Sequence, residues 1–168
     1  PACLFYGGIG LGKSTEVGKA FPDYLWVQSN PTGLAPLSDW IAKNPKEAEE
    51  KNIRLPARMN LDRTKPIMPW LKDFFQNWKF GASQDKKAGA VSQYKGVVFD
   101  EWSTISFHIW EEIQKEYGKD KWGAIDALKD YHVRLTQIPK ETDRGLILIS
   151  HDQDPKYEEL PNGILTSK

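Results

Sequence analysis

Nine residues near the start of the chain, Gly7-Gly8-Ile9-Gly10-Leu11-Gly12-Lys13-Ser14-Thr15, combine four glycines with a lysine and two hydroxyls. From Gly7 to Ser14 they fit the pattern Gly-x-x-x-x-Gly-Lys-[Ser/Thr], whose chemistry is phosphate binding. Glycines let the backbone take turns that a Cβ resists, so consecutive N–H groups can point inward at phosphate oxygens. Gly8, Ile9, Gly10, Leu11, Gly12, Lys13, Ser14 and Thr15 form the candidate cradle. In this pattern Lys13 reaches the β- and γ-phosphates of a nucleotide and the Ser14 hydroxyl ligates Mg²⁺. A helix starting near Lys13 adds the partial positive charge of its N-terminus.

Two further stretches end an apolar run on polar groups. Gly96-Val97-Val98-Phe99-Asp100-Glu101 has the shape of a buried parallel strand whose C-terminal end meets a ligand. Asp100 is the candidate metal ligand, and Glu101 stands where a carboxylate can orient and deprotonate an attacking water. Acidic residues at a strand's end also serve as plain solvated caps; the glycine loop is what favours the chemical reading. Leu146-Ile147-Leu148-Ile149 leads into Ser150-His151-Asp152-Gln153. Strand ends gather ligand groups in an open parallel sheet, so His151 is the candidate for sensing a γ-phosphate or positioning water, against the alternative of a surface turn.

The elements that must carry these groups follow from patterning. Ala2 to Tyr6 reads as a strand feeding the glycines, Ser14 to Ala20 as the helix after them, and Tyr24 to Gln28 as a second strand. Residues 34–60 carry a weaker signal, with two short helical stretches and interrupting prolines, and are expected to be an insertion. Ile67, Trp70, Leu71, Phe74 and Trp78 recur at helical spacing, so 66–79 is an amphipathic helix with Gly81 placed to end it. Polar residues from Ser83 to Lys95 form an exposed loop. Ile105, Ile109, Ile113 and Tyr117 mark a helix over 104–117 ended by Gly118. A second helix over 123–138 is capped by Asp120 and stopped by Pro139, with His132 on its apolar face as a core histidine. Residues 160–166 read as a turn and a short last strand.

Composition narrows the class. At 168 residues one domain is expected, and the abrupt start at Pro1 and stop at Lys168 fit a fragment or a trimmed core. The formal net charge is zero, with 27% charged residues, so the chain as a whole carries no electrostatic signature of nucleic-acid or membrane binding. Cys3 is the single cysteine, which excludes an internal disulfide and a cysteine-based zinc site and suits a reducing cytosol. No run has the length of a membrane span or the layout of a signal peptide, so a soluble, cytoplasmic protein without a membrane partner is expected.

Gly7 to Thr15, Val97 to Glu101 and Leu146 to Gln153 together resemble the RecA-like P-loop ATPases of the ASCE class. The resemblance is closest to small bacteriophage AAA-type ATPases related to phage single-strand annealing recombinases, whose helices carry a tryptophan such as Trp122. It implies an α/β fold, a three-layer P-loop NTPase core with a mainly parallel sheet flanked by helices. It also implies Mg²⁺-dependent ATP hydrolysis with ATP and Mg²⁺ as cofactors, coupled to DNA recombination, remodelling or packaging. The partners implied are single- or double-stranded DNA and further copies of the chain in a ring or filament, in the cytoplasm of a phage host. Lys13, Glu101 and His151 take the catalytic roles and Ser14 and Asp100 the metal. Residues 34–60 have no counterpart in that family, and Asp100-Glu101 resembles the acidic pair of AAA and packaging ATPases more than that of recombinases.

Such enzymes often receive an arginine from a neighbouring subunit; Arg54, Arg58, Arg63, Arg134 and Arg144 are the candidates. Lys86-Lys87 and the seven tryptophans and six tyrosines offer contacts for DNA phosphates and bases. The alternatives are a small-molecule kinase, for which the chain lacks an arginine-rich lid, and a non-catalytic nucleotide-binding switch.

Overall fold

The computed structural model describes residues 2–8, 10–29, 32–61, 64–80, 91, 93–151, 157–159 and 165–167. Five strands form one all-parallel sheet: β1 (Ala2–Gly7), β2 (Leu25–Gln28), β3 (Arg58–Asn60), β4 (Gly96–Asp100) and β5 (Gly145–His151), in the spatial order β1-β5-β4-β2-β3. The fold is therefore α/β. A separate antiparallel pair, β6 (Tyr157–Glu159) and β7 (Leu165–Ser167), closes the chain.

Helices lie on both faces because the three inner strands are apolar on both. On β2 and β4, Leu25, Val27, Val97 and Phe99 join Leu146 of β5 in one core cluster, whereas Trp26, Val98, Ile147 and Ile149 join the other. Continuous apolar strands with alternate residues buried to opposite sides are what a two-sided parallel sheet requires. The first cluster is covered by α4 (Ile67–Phe80), α5 (Trp102–Tyr117) and α6 (Lys121–Thr142), the second by α1 (Lys13–Ala20) and α2 (Ala35–Lys43). Phe74 and Phe75 of α4 meet Phe99 with ring centroids 5.7 Å apart, and Phe99 meets Trp102 at 5.5 Å. The aromatic stripe read from helical spacing is thus core. Among the described residues no helix is long and apolar enough to cross a membrane.

Several expectations are revised. The two short helical stretches expected over residues 34–60 are α2 and the short α3 (Pro45–Glu50), but the segment also supplies an unexpected strand, β3, which pairs in parallel with β2, and it buries Leu34 and Leu37. Only three residues of β3 are extended, too short a run for alternation to announce a strand. Pro139 does not end α6, which runs on to Thr142 before Asp143 turns left-handed at φ 52°. The proline ring is buried, and the helix closes over it with Thr142 Oγ1 donating to the Ile138 carbonyl at 2.7 Å. α5 begins at Trp102, directly after Glu101. Asp120 does cap α6, accepting from the Gly123 N–H at 3.0 Å, and Gly118 ends α5 at φ 58°. His132 is satisfied at both ring nitrogens, by the Leu128 carbonyl at 2.8 Å and the Ser106 hydroxyl at 3.3 Å. Gly81, Lys86 and Lys87 lie outside the described residues.

Candidate phosphate and metal site

The C-terminal ends of β1, β5, β4, β2 and β3 fall in one row because the strands are parallel and in register. Gly7 stands opposite His151, Asp100 opposite both Ile149 and Gln28, and Gln28 opposite Asn60. The glycine loop leaves the sheet at the end of β1 and enters α1 at Lys13. Gly10 and Gly12 take φ of 82° and 75°, where a side chain is strained, so the sequence needs glycine at both. Lys13 Nζ donates to the carbonyls of Gly7 and Gly8, each at 2.7 Å. Its ammonium is held at the loop by neutral acceptors, and an anion binding there must exchange with them. Ile9 lies outside the described residues.

Ser14 and Asp100 are 86 positions apart in sequence, yet the Ser14 hydroxyl donates to Asp100 Oδ1 at 3.1 Å. Two other donors fix the same carboxylate: the indole N–H of Trp26 on Oδ2 at 3.3 Å and the Glu101 N–H on Oδ1 at 3.1 Å. Asp100 is 2% exposed, and burial raises its carboxyl above the ordinary range, partly offset by the Trp26 and Ser14 donors. The charge of Glu101 adds to the rise. A buried carboxylate with only neutral donors around it is a group that gains strongly from a cation.

Glu101 adopts the left-handed conformation, φ 64° and ψ 49°, uncommon for a residue with a Cβ and costly by about 1–3 kcal/mol. Its carboxylate accepts from the Ser29 hydroxyl at 2.5 Å. The strand-to-helix junction thus aims Glu101 along the row toward β2 while Asp100 turns to α1.

Beside Asp100 on either side stand buried polar atoms without partners among the described residues, Nδ1 of His151 on β5 and Oε1 of Gln28 on β2. Gln28 donates through Nε2 to Asn60 Oδ1 at 2.8 Å. No protein-family model matches the chain, and no curated protein matches its sequence.

The row therefore brings Gly8, Gly10, Leu11, Gly12, Lys13, Ser14 and Thr15 to the same sheet edge as Asp100, Glu101 and His151. Trp26, Gln28, Ser29 and Asn60 are additions. For Gln28 and Ser29 a signal was present: the strand from Tyr24 to Gln28 ends on polar residues, as do the two strands ending at Asp100 and Ser150. Of the arginines, Arg144 directly precedes β5, at the opposite end of that strand from His151, with its guanidinium 5.8 Å from the Trp78 ring. Arg54 pairs with Asp23, Arg58 and Arg134 are exposed, and Arg63 lies outside the described residues. A cavity of about 530 Å³ between the start of α4 and α5 is lined by Leu61, Ile67, His108 and Glu111, and by none of the motif residues.

The donor set fits Mg²⁺ in one specific sense. No group of three or more histidine, cysteine, aspartate or glutamate side chains converges on a metal position among the described residues. A protein site of one hydroxyl and one carboxylate suits the ion that keeps several waters and takes its remaining ligands from phosphate oxygens.

Proposed function

We propose that the protein binds ATP with Mg²⁺ and hydrolyses it. The observation that carries this reading is the 3.1 Å contact between Ser14, in the glycine-rich motif, and Asp100, at the end of a buried strand 86 residues later. The two groups that the motifs nominate independently as metal ligands share a hydrogen bond. Ser14 and Asp100 would hold the metal, which when bound supplies positive charge to the phosphate oxygens. Lys13 leaves the Gly7 and Gly8 carbonyls for the β- and γ-phosphates, exchanging two neutral acceptors for charged ones. Glu101 orients the attacking water and accepts its proton, with Ser29 fixing the carboxylate until then. His151, level with Gly7, donates to a γ-phosphate oxygen or positions the water beside it.

Coupling of hydrolysis to DNA, and assembly into a ring or filament, belong to the same proposal through the resemblance to phage AAA-type and RecA-like ATPases. The test is phosphate release from ATP with Mg²⁺, in wild type and in Glu101→Gln. The expected result is turnover in wild type and, in the variant, retained nucleotide binding with a rate at least 100-fold lower, the scale of general-base catalysis. An unchanged rate in Glu101→Gln removes the assignment of the base. Transfer of the phosphate to an added small acceptor in preference to water would assign a kinase instead.

A further inference from the structure

Gln28 is a polar side chain only 1% exposed, on a strand whose other residues are apolar. Half of its amide is accounted for: Nε2 donates to Asn60 Oδ1 at 2.8 Å. The other half, Oε1, is buried with no donor among the described residues. A buried acceptor left without a donor is costly, and such groups in native proteins are rare. Leucine or methionine would fill the same space without that cost, so the amide points to something that donates to it.

The surroundings say what that donor is. Gln28 and Asp100 are register partners on neighbouring strands, and the alternation that puts Trp26 and Val98 on the α1 side puts Gln28 and Asp100 there with them. Phosphate oxygens are acceptors only and cannot satisfy Oε1. Metal-bound water is a strong donor, and Mg²⁺ keeps several waters when a protein offers it few ligands. Asn60 spends its own acceptor on Nε2 and thereby holds Oε1 as the free end.

From this geometry we infer that Gln28 is a positioning residue for the metal, accepting a hydrogen bond from a water on the ion that Ser14 and Asp100 hold, with Asn60 fixing the orientation of the amide. The inference rests on the reading of the site as an Mg²⁺-nucleotide site and adds a ligand shell on β2 that the motifs do not include. Being uncharged, the amide orients the hydrated ion without adding a second buried anion beside Asp100.

The test uses Mn²⁺ as a paramagnetic stand-in, titrated by electron paramagnetic resonance in the presence of a non-hydrolysable ATP analogue, with thermal unfolding of the metal-free protein alongside. In Gln28→Leu the Mn²⁺ dissociation constant is expected to rise 10- to 100-fold, the range seen when partners behind metal ligands are removed. Metal-free stability is expected to be equal to or above wild type, because the unpaired acceptor is gone. A glutamine with a merely structural role predicts the reverse pair of results. Asn60→Ala, at an exposed position where folding is not at stake, leaves Oε1 in place but unlocks the amide, and its Mn²⁺ constant is expected to rise several-fold; if Gln28→Leu does not fold, Asn60→Ala decides alone. Wild-type Mn²⁺ binding retained unchanged in the folded variants overturns this inference and leaves the nucleotide reading standing. Failure of the wild type to bind Mn²⁺ with the analogue overturns both.

Discussion

Replacing Trp26 by phenylalanine isolates one hydrogen bond at the heart of the site. The indole ring is fully buried and its N–H reaches Asp100 Oδ2 at 3.3 Å. Trp26→Phe keeps an aromatic ring in the core and removes the donor. A bond to an ionised acceptor contributes about 1.5–3 kcal/mol, and imperfect filling by the smaller ring about 1 kcal/mol more, so the expected loss at neutral pH is about 2.5–4 kcal/mol. Its pH dependence separates the two parts. Burial raises the Asp100 carboxyl in the folded state, and losing the Trp26 donor raises it further. A group whose folded value is raised is a burden on stability at neutral pH that is relieved as pH falls and the carboxyl takes its proton. The cost of Trp26→Phe should therefore be largest near pH 7.5 and shrink toward the packing part as pH is lowered through the raised Asp100 value. Urea unfolding of wild type and variant from pH 7.5 down to the ordinary carboxylate range at about 4, without metal, reads this directly. A cost that stays constant across that range would show that the indole contributes packing alone, and would undo the account of how Asp100 is held.

Two further outcomes are expected. Mg²⁺ and ATP at about 100 times the dissociation constant should raise the unfolding temperature by roughly 5–11 °C, from about 2.7 kcal/mol of linkage at 2–4 °C per kcal/mol, and Lys13→Ala should abolish the shift in scanning calorimetry. Gly145→Ala should cost about 1–3 kcal/mol by overpacking, because a Cβ there runs into the half-buried Tyr24 ring; an unfolding free energy within 0.5 kcal/mol of wild type would contradict that close approach.

The glycine loop, the strand ending at Asp100 and the strand ending at His151 were legible because each couples a short apolar run to a distinctive polar ending. The aromatic face of α4 was legible from its period of three and four residues. What pattern alone did not carry was strand order. Nothing local to Gly145–His151 says that it lies between the glycine-loop strand and the Asp100 strand, since that follows from packing of the crossover helices. β3 escaped because Arg58–Asn60 is three residues long and mostly exposed, with nothing to alternate. Trp26 escaped for another reason: a tryptophan in an apolar strand reads as core, which it is, and its single polar atom shows its use only when β2 and β4 are placed side by side. The extent of α6 past Pro139 reflects burial of the proline ring, a tertiary gain that outweighs the missing N–H.

The glycine loop springs from an edge strand of the sheet. β1 pairs with β5 alone, and Leu4 and Tyr6 are 61% and 63% exposed. Among the described residues no second strand flanks it, so the base of the loop can breathe where the tip of β4, held between two neighbours, cannot. Amide deuterium uptake over Ala2–Gly7 should accordingly run far ahead of that over Val97–Asp100. Whatever grips the loop has to quieten this margin first, and part of its affinity is spent on doing so.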